Sequence, residues 1–234
     1  MVQLVSSKCL FHSSEPLVVG AVSSAEMLRA LAANPLLAAG CDILELRLDA
    51  IGLEPDASRE LASKLETPLL ITARHPDEGG IGNLASSTRS TLLDAHLDLA
   101  VLMDVELRSA PDLQSVVSRA KALGVGIIGS YHDFLSTPAD DILRGAVESG
   151  VRSELDMVKV ATMLQSPEDL ARLIHLVGAE KRVRMSVMGM GPLGRLSRLA
   201  LARCGSLLNY GYLGESNAPG QWEASRLKQL LKEL

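Results

Sequence analysis

A short apolar run followed by a helix-like stretch recurs eight times along the 234 residues of the chain. The runs cover 17–22, 42–49, 68–74, 101–107, 126–132, 157–163, 183–188 and 207–212. The helical stretches cover 24–33, 56–65, 87–99, 112–123, 139–149, 167–176, 193–203 and 221–234. Strands that alternate with helices imply a parallel sheet, because each helix carries the chain back to the edge where the next strand begins. Eight such units in a chain of this length predict an α/β fold, a (β/α)8 TIM barrel forming a single domain over 1–234. An open doubly wound sheet is the runner-up. Local signals agree: Ser23 or Ser24 can cap the first helix, and Ser166 with Pro167 opens the sixth. No Pro/Ser-rich linker or shift of composition divides the chain.

Bulk properties exclude several classes of function. The formal net charge is −5, which weighs against a nucleic-acid partner, since such partners favour a basic stripe. The single Trp222 and the scarcity of aromatic residues offer no stacking platform. Residues 1–16 lack the basic start and unbroken apolar segment of a secretory signal, and no stretch approaches 18 apolar residues. The expected location is cytoplasmic, with no membrane partner. Cys9, Cys41 and Cys204 are odd in number and widely spaced; Cys41 and Cys204 read as small packing residues. The five histidines show no H-x-x-x-H spacing, so no metal is expected.

Buried parallel strands should be apolar, so ionisable residues late in them need a reason. In a barrel they converge on the C-terminal mouth, where active sites lie. Strand two supplies Glu45, Arg47 and Asp49, which a period of two would place on one face opposite Leu44, Leu46 and Leu48. Strand three ends in Arg74, with Glu78 four residues on; strand four carries Asp104 and Glu106; strand five ends in His132. Lys159 stands in the middle of strand six, Arg195 and Arg198 follow strand seven, and Asn209 and Tyr210 lie on strand eight.

Taken singly, each of these has a structural explanation: Arg74 can pair with Glu78, His132 can be a satisfied core histidine, and Lys159 can snorkel to the rim. Together they converge on one end, and burying that many charges for stability alone would cost several kcal/mol per unpaired ion. Apolar neighbours and nearby cations would leave more of Lys159 as free amine, able to attack a carbonyl, with His132 on the adjacent strand to move protons.

Residues 189–194, Gly-Met-Gly-Pro-Leu-Gly, match the G-x-G-x-x-G dinucleotide pattern with Glu215 about 20 residues on. Only one strand follows, whereas a dinucleotide fold needs this loop after its first strand. The segment reads better as a tight turn exposing backbone N–H groups to an anionic ligand group.

The motifs Glu45-Leu-Arg-Leu-Asp49, Arg74-x-x-x-Glu-Gly-Gly80, Ser130-Tyr-His-Asp-Phe134, Val158-Lys-Val160, Met190-Gly-x-x-Gly-x-x-Ser-Arg198 and Ala218-Pro-Gly-Gln221 occur in this order over almost the whole chain. In combination they resemble the type I 3-dehydroquinate dehydratases. The resemblance implies a cofactor-free (β/α)8 barrel, usually a homodimer, that dehydrates 3-dehydroquinate to 3-dehydroshikimate in the shikimate pathway. It implies that Lys159 forms the imine, that His132 is the general acid/base and that Glu78 supports it. It further implies that Glu45, Arg47 and Arg74 bind substrate, that Arg198 holds the substrate carboxylate, and that Met188, Tyr210, Asn217, Ala218 and Gln221 line or close over the ring. Asn217 and Tyr210 depart from the common pattern, which has Ser and Phe there. Two rival readings are a class I aldolase, which shares the barrel and the imine lysine, and a non-catalytic sensor that kept the pocket.

Overall fold

Eight parallel strands pair with their sequence neighbours in the order β7-β6-β5-β4-β3-β2-β1-β8. They are β1 (Leu17–Val22), β2 (Ile43–Arg47), β3 (Leu69–Thr72), β4 (Leu102–Glu106), β5 (Gly126–Asp133), β6 (Met157–Met163), β7 (Arg184–Met190) and β8 (Leu208–Tyr212). The computed structural model describes residues 6–214 and 220–234. Between the strands run α2 (Ala25–Ala33), a short α3 (Leu48–Ile51), α4 (Pro55–Ala62), α5 (Ser86–His96), α6 (Gln114–Ala122), α7 (Asp140–Arg152), α8 (Pro167–Ala179) and α9 (Gly194–Arg203), with α10 (Ala224–Glu233) after β8 and α1 (Ser7–Phe11) before β1. The expected (β/α)8 barrel is therefore present, and the open-sheet alternative is not.

The helix starts follow from the sequence. Ser24 accepts from the Met27 N–H at 3.1 Å. Ser166 and Asp169 form a capping box ahead of Pro167, satisfying two donors that a helix start leaves open. Outward-facing Leu44, Leu46, Ile71, Met103, Val105 and Ile127 pack under the helices, while Val19, Ile43, Leu70, Leu102, Ile128 and Met157 fill the barrel interior. No helix among the described residues is long and apolar enough to cross a membrane.

Two features were not expected. The helix α1 lies against the N-terminal end of the strands: the Ser7 hydroxyl donates to the Gly124 carbonyl at 2.9 Å, and a Cβ on Gly126 would meet the Phe11 ring at 2.5 Å. The other concerns the closure between β7 and β8. It carries one backbone bond, from Leu207 N–H to the Met185 carbonyl at 2.9 Å, and is otherwise sewn by serines. Ser186 Oγ donates to the Leu208 carbonyl at 2.7 Å, while Ser206 Oγ accepts from Val187 N–H at 2.8 Å.

Two sequence expectations need correction. Strand geometry ends at Arg47, and Asp49 sits in α3 rather than continuing the alternation. It still meets Arg47, because the helical turn folds its carboxylate back onto the guanidinium at 2.7 Å. Cys204 is exposed at the end of α9 rather than placed as a packing residue. Cys41 does pack against the core, and burial with nearby Asp42 pushes its thiol up to about 12.

Candidate active site

The polar strand ends meet in one cavity of about 300 Å³ at the C-terminal mouth of the barrel. Glu45, Arg47, Arg74, Glu78, His132, Lys159, Met188, Arg198, Tyr210 and Gln221 all line it, so ten of the twelve site residues expected from sequence are brought together. The other two, Asn217 and Ala218, lie outside the described residues. Ala21, Gly79, Phe134, Ala161 and Met190 complete the lining; Gly79, Phe134 and Met190 belong to motifs that carry the resemblance, whereas Ala21 and Ala161, short and apolar, carry no signal in the sequence that separates them from core residues. A larger groove of about 440 Å³ lies outside the barrel between α7 and α8. Its arginines lie against acidic neighbours, Arg144 and Arg172 against Asp140, Arg172 also against Asp169, and Arg182 against Glu148 and Glu180.

Lys159 is 4% exposed, with Nζ donating to Asp104 Oδ2 at 3.0 Å. Glu45 lies 3.9 Å away and accepts instead from Thr72 Oγ1 at 2.8 Å. The Tyr210 ring sits beneath Nζ, 4.2 Å from its centroid, a cation–π contact. The sequence suggests apolar and cationic surroundings for this lysine; the structure places it against a carboxylate contributed by β4. The Tyr210 hydroxyl is the one buried side-chain polar atom without a partner among the described residues. Burial, with Glu45 and Asp104 nearby, raises this phenol well above its ordinary value, so it is a neutral donor.

Beside the lysine, His132 is held by Glu78. Its backbone N–H and its Nδ1 both reach Glu78 Oε2, at 3.0 and 2.9 Å. Occupying Nδ1 leaves Nε2 as the ring nitrogen available to a ligand. Burial raises the Glu78 carboxyl to about 7, against the pull of Arg74. Burial, reinforced by the Arg74 and Lys159 cations, holds the His132 imidazole well below its ordinary value, so it is a neutral ring able to accept a proton.

Arg74 does not pair with Glu78, the simplest partner four residues on. Its side chain enters the barrel towards β4 and β5, where Nη1 reaches Asp104 at 2.8 Å, Glu106 at 2.9 Å and Ser130 at 2.6 Å. Glu106 also takes the His75 N–H at 2.9 Å and the Arg89 guanidinium, making it a buried keystone away from the cavity lining. Arg47 is anchored by Asp49 and by the Gly79 carbonyl at 3.0 Å.

Arg198 is 1% exposed and has no carboxylate partner among the described residues. Its Nε and Nη1 donate to the carbonyls of Tyr210, Gly189, Gly194 and Gly220, at 3.1, 3.0, 3.1 and 2.6 Å. Burial lowers this guanidinium to about 10, the sign of a cation lacking its anion. The glycine-rich segment 189–194 serves this arginine. Gly191 adopts φ +81°, and a Cβ on Gly220 (φ +75°) would sit 2.4 Å from the Gly191 carbonyl, so both positions favour glycine. The Gly194 N–H is spent on the Gly191 carbonyl at 2.9 Å, so that donor is unavailable to the anion expected at this turn.

A (β/α)8 barrel with a buried lysine, a carboxylate-braced histidine and an anion-seeking arginine around one mouth cavity has the layout of a barrel enzyme acting on a small anionic molecule. The model of the family described as type I 3-dehydroquinase matches residues 18–234. The chain belongs to that family. It is 34% identical over 209 residues to a 3-dehydroquinate dehydratase of Methanosarcina acetivorans, covering 83% of this chain and 86% of the relative. It is 33% identical over 202 residues to that of Methanothermobacter thermautotrophicus, covering 84% and 86%. The solved type I 3-dehydroquinate dehydratase of Clostridium difficile, with covalent modified comenic acid, superposes with a TM-score of 0.86 at 26% identity, covering 100% of this chain and 98% of the other.

Proposed function

We propose that the chain dehydrates 3-dehydroquinate to 3-dehydroshikimate through an imine on Lys159. The observation that carries this is the position of Lys159: a buried amine at the barrel centre, in a cavity that also presents His132 and an arginine without an anion. Arg198 receives the substrate carboxylate in this reading, since a buried guanidinium gains most from an anion that reaches it. Glu45, Arg47 and Arg74 face the hydroxyl groups, and Met188, Tyr210 and Gln221 line the ring.

Attack of Lys159 on the ketone and loss of water give an iminium, an electron sink that acidifies the neighbouring C–H. His132 Nε2 removes that proton and returns it to the departing hydroxyl, while Glu78 holds Nδ1–H and steadies the imidazolium between the two transfers. Hydrolysis of the conjugated imine frees Lys159. Cytoplasmic location and a homodimer belong to the same reading, supported by the family alone.

The test is to mix the protein with dehydroquinate and follow the absorbance of the conjugated product. Borohydride added during turnover should fix substrate on the wild type and not on Lys159→Ala. His132→Ala should still be fixed by borohydride while turnover falls about 10²–10⁴-fold. Trapping with aldol donors but not with dehydroquinate would replace this reading with an aldolase. Binding without enone formation would replace it with a sensor.

A further inference from the structure

The partner of the central lysine is a residue to which sequence assigns no role. Asp104 lies inside β4 and is 1% exposed. Its Oδ1 accepts from Arg74 Nη1 at 2.8 Å and Ser130 Oγ at 2.6 Å, and its Oδ2 accepts from Lys159 Nζ at 3.0 Å. The donors come from the end of β3, from β5 and from β6, so the carboxylate cannot turn without breaking bonds to more than one strand. Arg74 and Ser130 occupy one oxygen and leave the other for the lysine.

Asp104 is unsuited to act as a base. Burial alone would raise its carboxyl, but Arg74 and Lys159 outweigh burial and hold it well below the usual carboxylate range. It is an anion beside these two cations. Condensation of an ammonium with a ketone conserves charge: R–NH3⁺ + O=C gives R–NH⁺=C + H2O. Two of the three N–H hydrogens leave with the carbonyl oxygen, and one N–H and the positive charge stay on nitrogen. The iminium therefore offers the same donor and the same charge that Asp104 already faces.

Resting on the imine reading above, we propose that Asp104 is the positioning residue for Lys159: Oδ2 holds the ammonium in the free enzyme and keeps its hydrogen bond to the iminium nitrogen once substrate is joined. An iminium is planar, so fixing its N–H fixes the plane of the C=N bond. That plane decides which neighbouring C–H stands perpendicular to it and within reach of His132, a matter of orientation rather than of acid strength. The carboxylate also stabilises the iminium over the neutral enamine that follows, which favours return to the conjugated iminium after the hydroxyl leaves.

Asp104→Asn keeps the shape and removes the charge. The other groups against Lys159 are Glu45, Tyr210 and His132, all retained in this variant. Borohydride still fixes dehydroquinate on Lys159 in this variant, because the amine and the cavity remain. Turnover falls on the order of 10²-fold, with KM held within about threefold because the amide oxygen still accepts from Arg74 and keeps it in place. A purely structural role would lower trapping and turnover together, and that result overturns the proposal. Wild-type protein that does not trap substrate refutes the imine reading instead. Should Asp104→Asn fail to fold, the crystal structure of the borohydride-reduced wild-type adduct decides. Its nitrogen, a secondary ammonium, stays about 3 Å from Asp104; an adduct nitrogen turned away from Asp104 ends the proposal.

Discussion

Glu78 Oε2 receives both the backbone N–H and the ring Nδ1 of His132, at 3.0 and 2.9 Å, so one carboxylate oxygen sets where the imidazole sits and which of its nitrogens carries the proton. Burial raises that carboxyl to about 7 from an ordinary 4.5. Below about pH 7 the carboxylate gains a proton and no longer holds Nδ1–H, and Nε2 ceases to be the free base. Turnover should therefore rise with pH through about 7, and Glu78→Gln should lose that limb together with most of the rate. The folded state binds more protons than the unfolded state between about 4.5 and 7, so ionising Glu78 costs stability as pH rises across this window. Chemical denaturation should show Glu78→Gln gaining on the wild type over the same interval; a constant difference would contradict the assignment.

Glu106 stabilises the site from below rather than touching substrate. It binds Arg74, Arg89 and the His75 N–H with no exposure to solvent. Glu106→Ala leaves the buried Arg89 guanidinium without its carboxylate and Arg74 with Asp104 as its remaining one, and should cost about 3–5 kcal/mol in urea unfolding. Ordinary stability in that variant would show that the two arginines find other partners.

Arg198 is fixed by four carbonyls and lacks an anion. Arg198→Lys keeps a charge but cannot span those carbonyls and a carboxylate together. Its kcat/KM for dehydroquinate should fall roughly 30-fold or more, equivalent to about 2 kcal/mol, with the loss chiefly in KM. Unchanged KM would move the carboxylate to another residue.

Tyr210→Phe removes a buried hydroxyl that has no partner and keeps the ring beneath Lys159. Thermal unfolding should show no loss, and a gain of about 1 kcal/mol is expected. Borohydride trapping should survive, because the cation–π contact needs only the ring. A marked rise in KM would show instead that the hydroxyl finds its partner on the substrate.

Most of the barrel is legible because its signals are local. Strands β1 and β6 fall on the expected 17–22 and 157–163, where apolar runs are bounded by polar residues and prolines or caps. Lys159 is conspicuous because a charge interrupts an apolar strand, and alternation along β4 exposes Asp104 and Glu106 as a pair. What stays hidden is partnership. Arg74 passes over Glu78 to reach β4 and β5, and Lys159 meets Asp104, 55 residues earlier. Such pairings depend on register across strands and on side-chain length, which no window of sequence contains. The helical turn at Asp49 and the exposure of Cys204 were missed for the same reason: one depends on how the chain leaves the barrel, the other on what its neighbours leave uncovered.

The serine-stitched join between β7 and β8 makes the cylinder unequal around its circumference. Seven of its joints are continuous ladders, whereas this one hangs on two hydroxyls and a single amide. Arg198, proposed to receive the substrate carboxylate, and Tyr210 on β8 flank that join, while Lys159, Asp104 and His132 stand on fully laddered staves. On the proposed reading, a molecule entering the mouth thus meets a firmly laddered wall bearing the imine chemistry and, facing it, a wall held by fewer bonds.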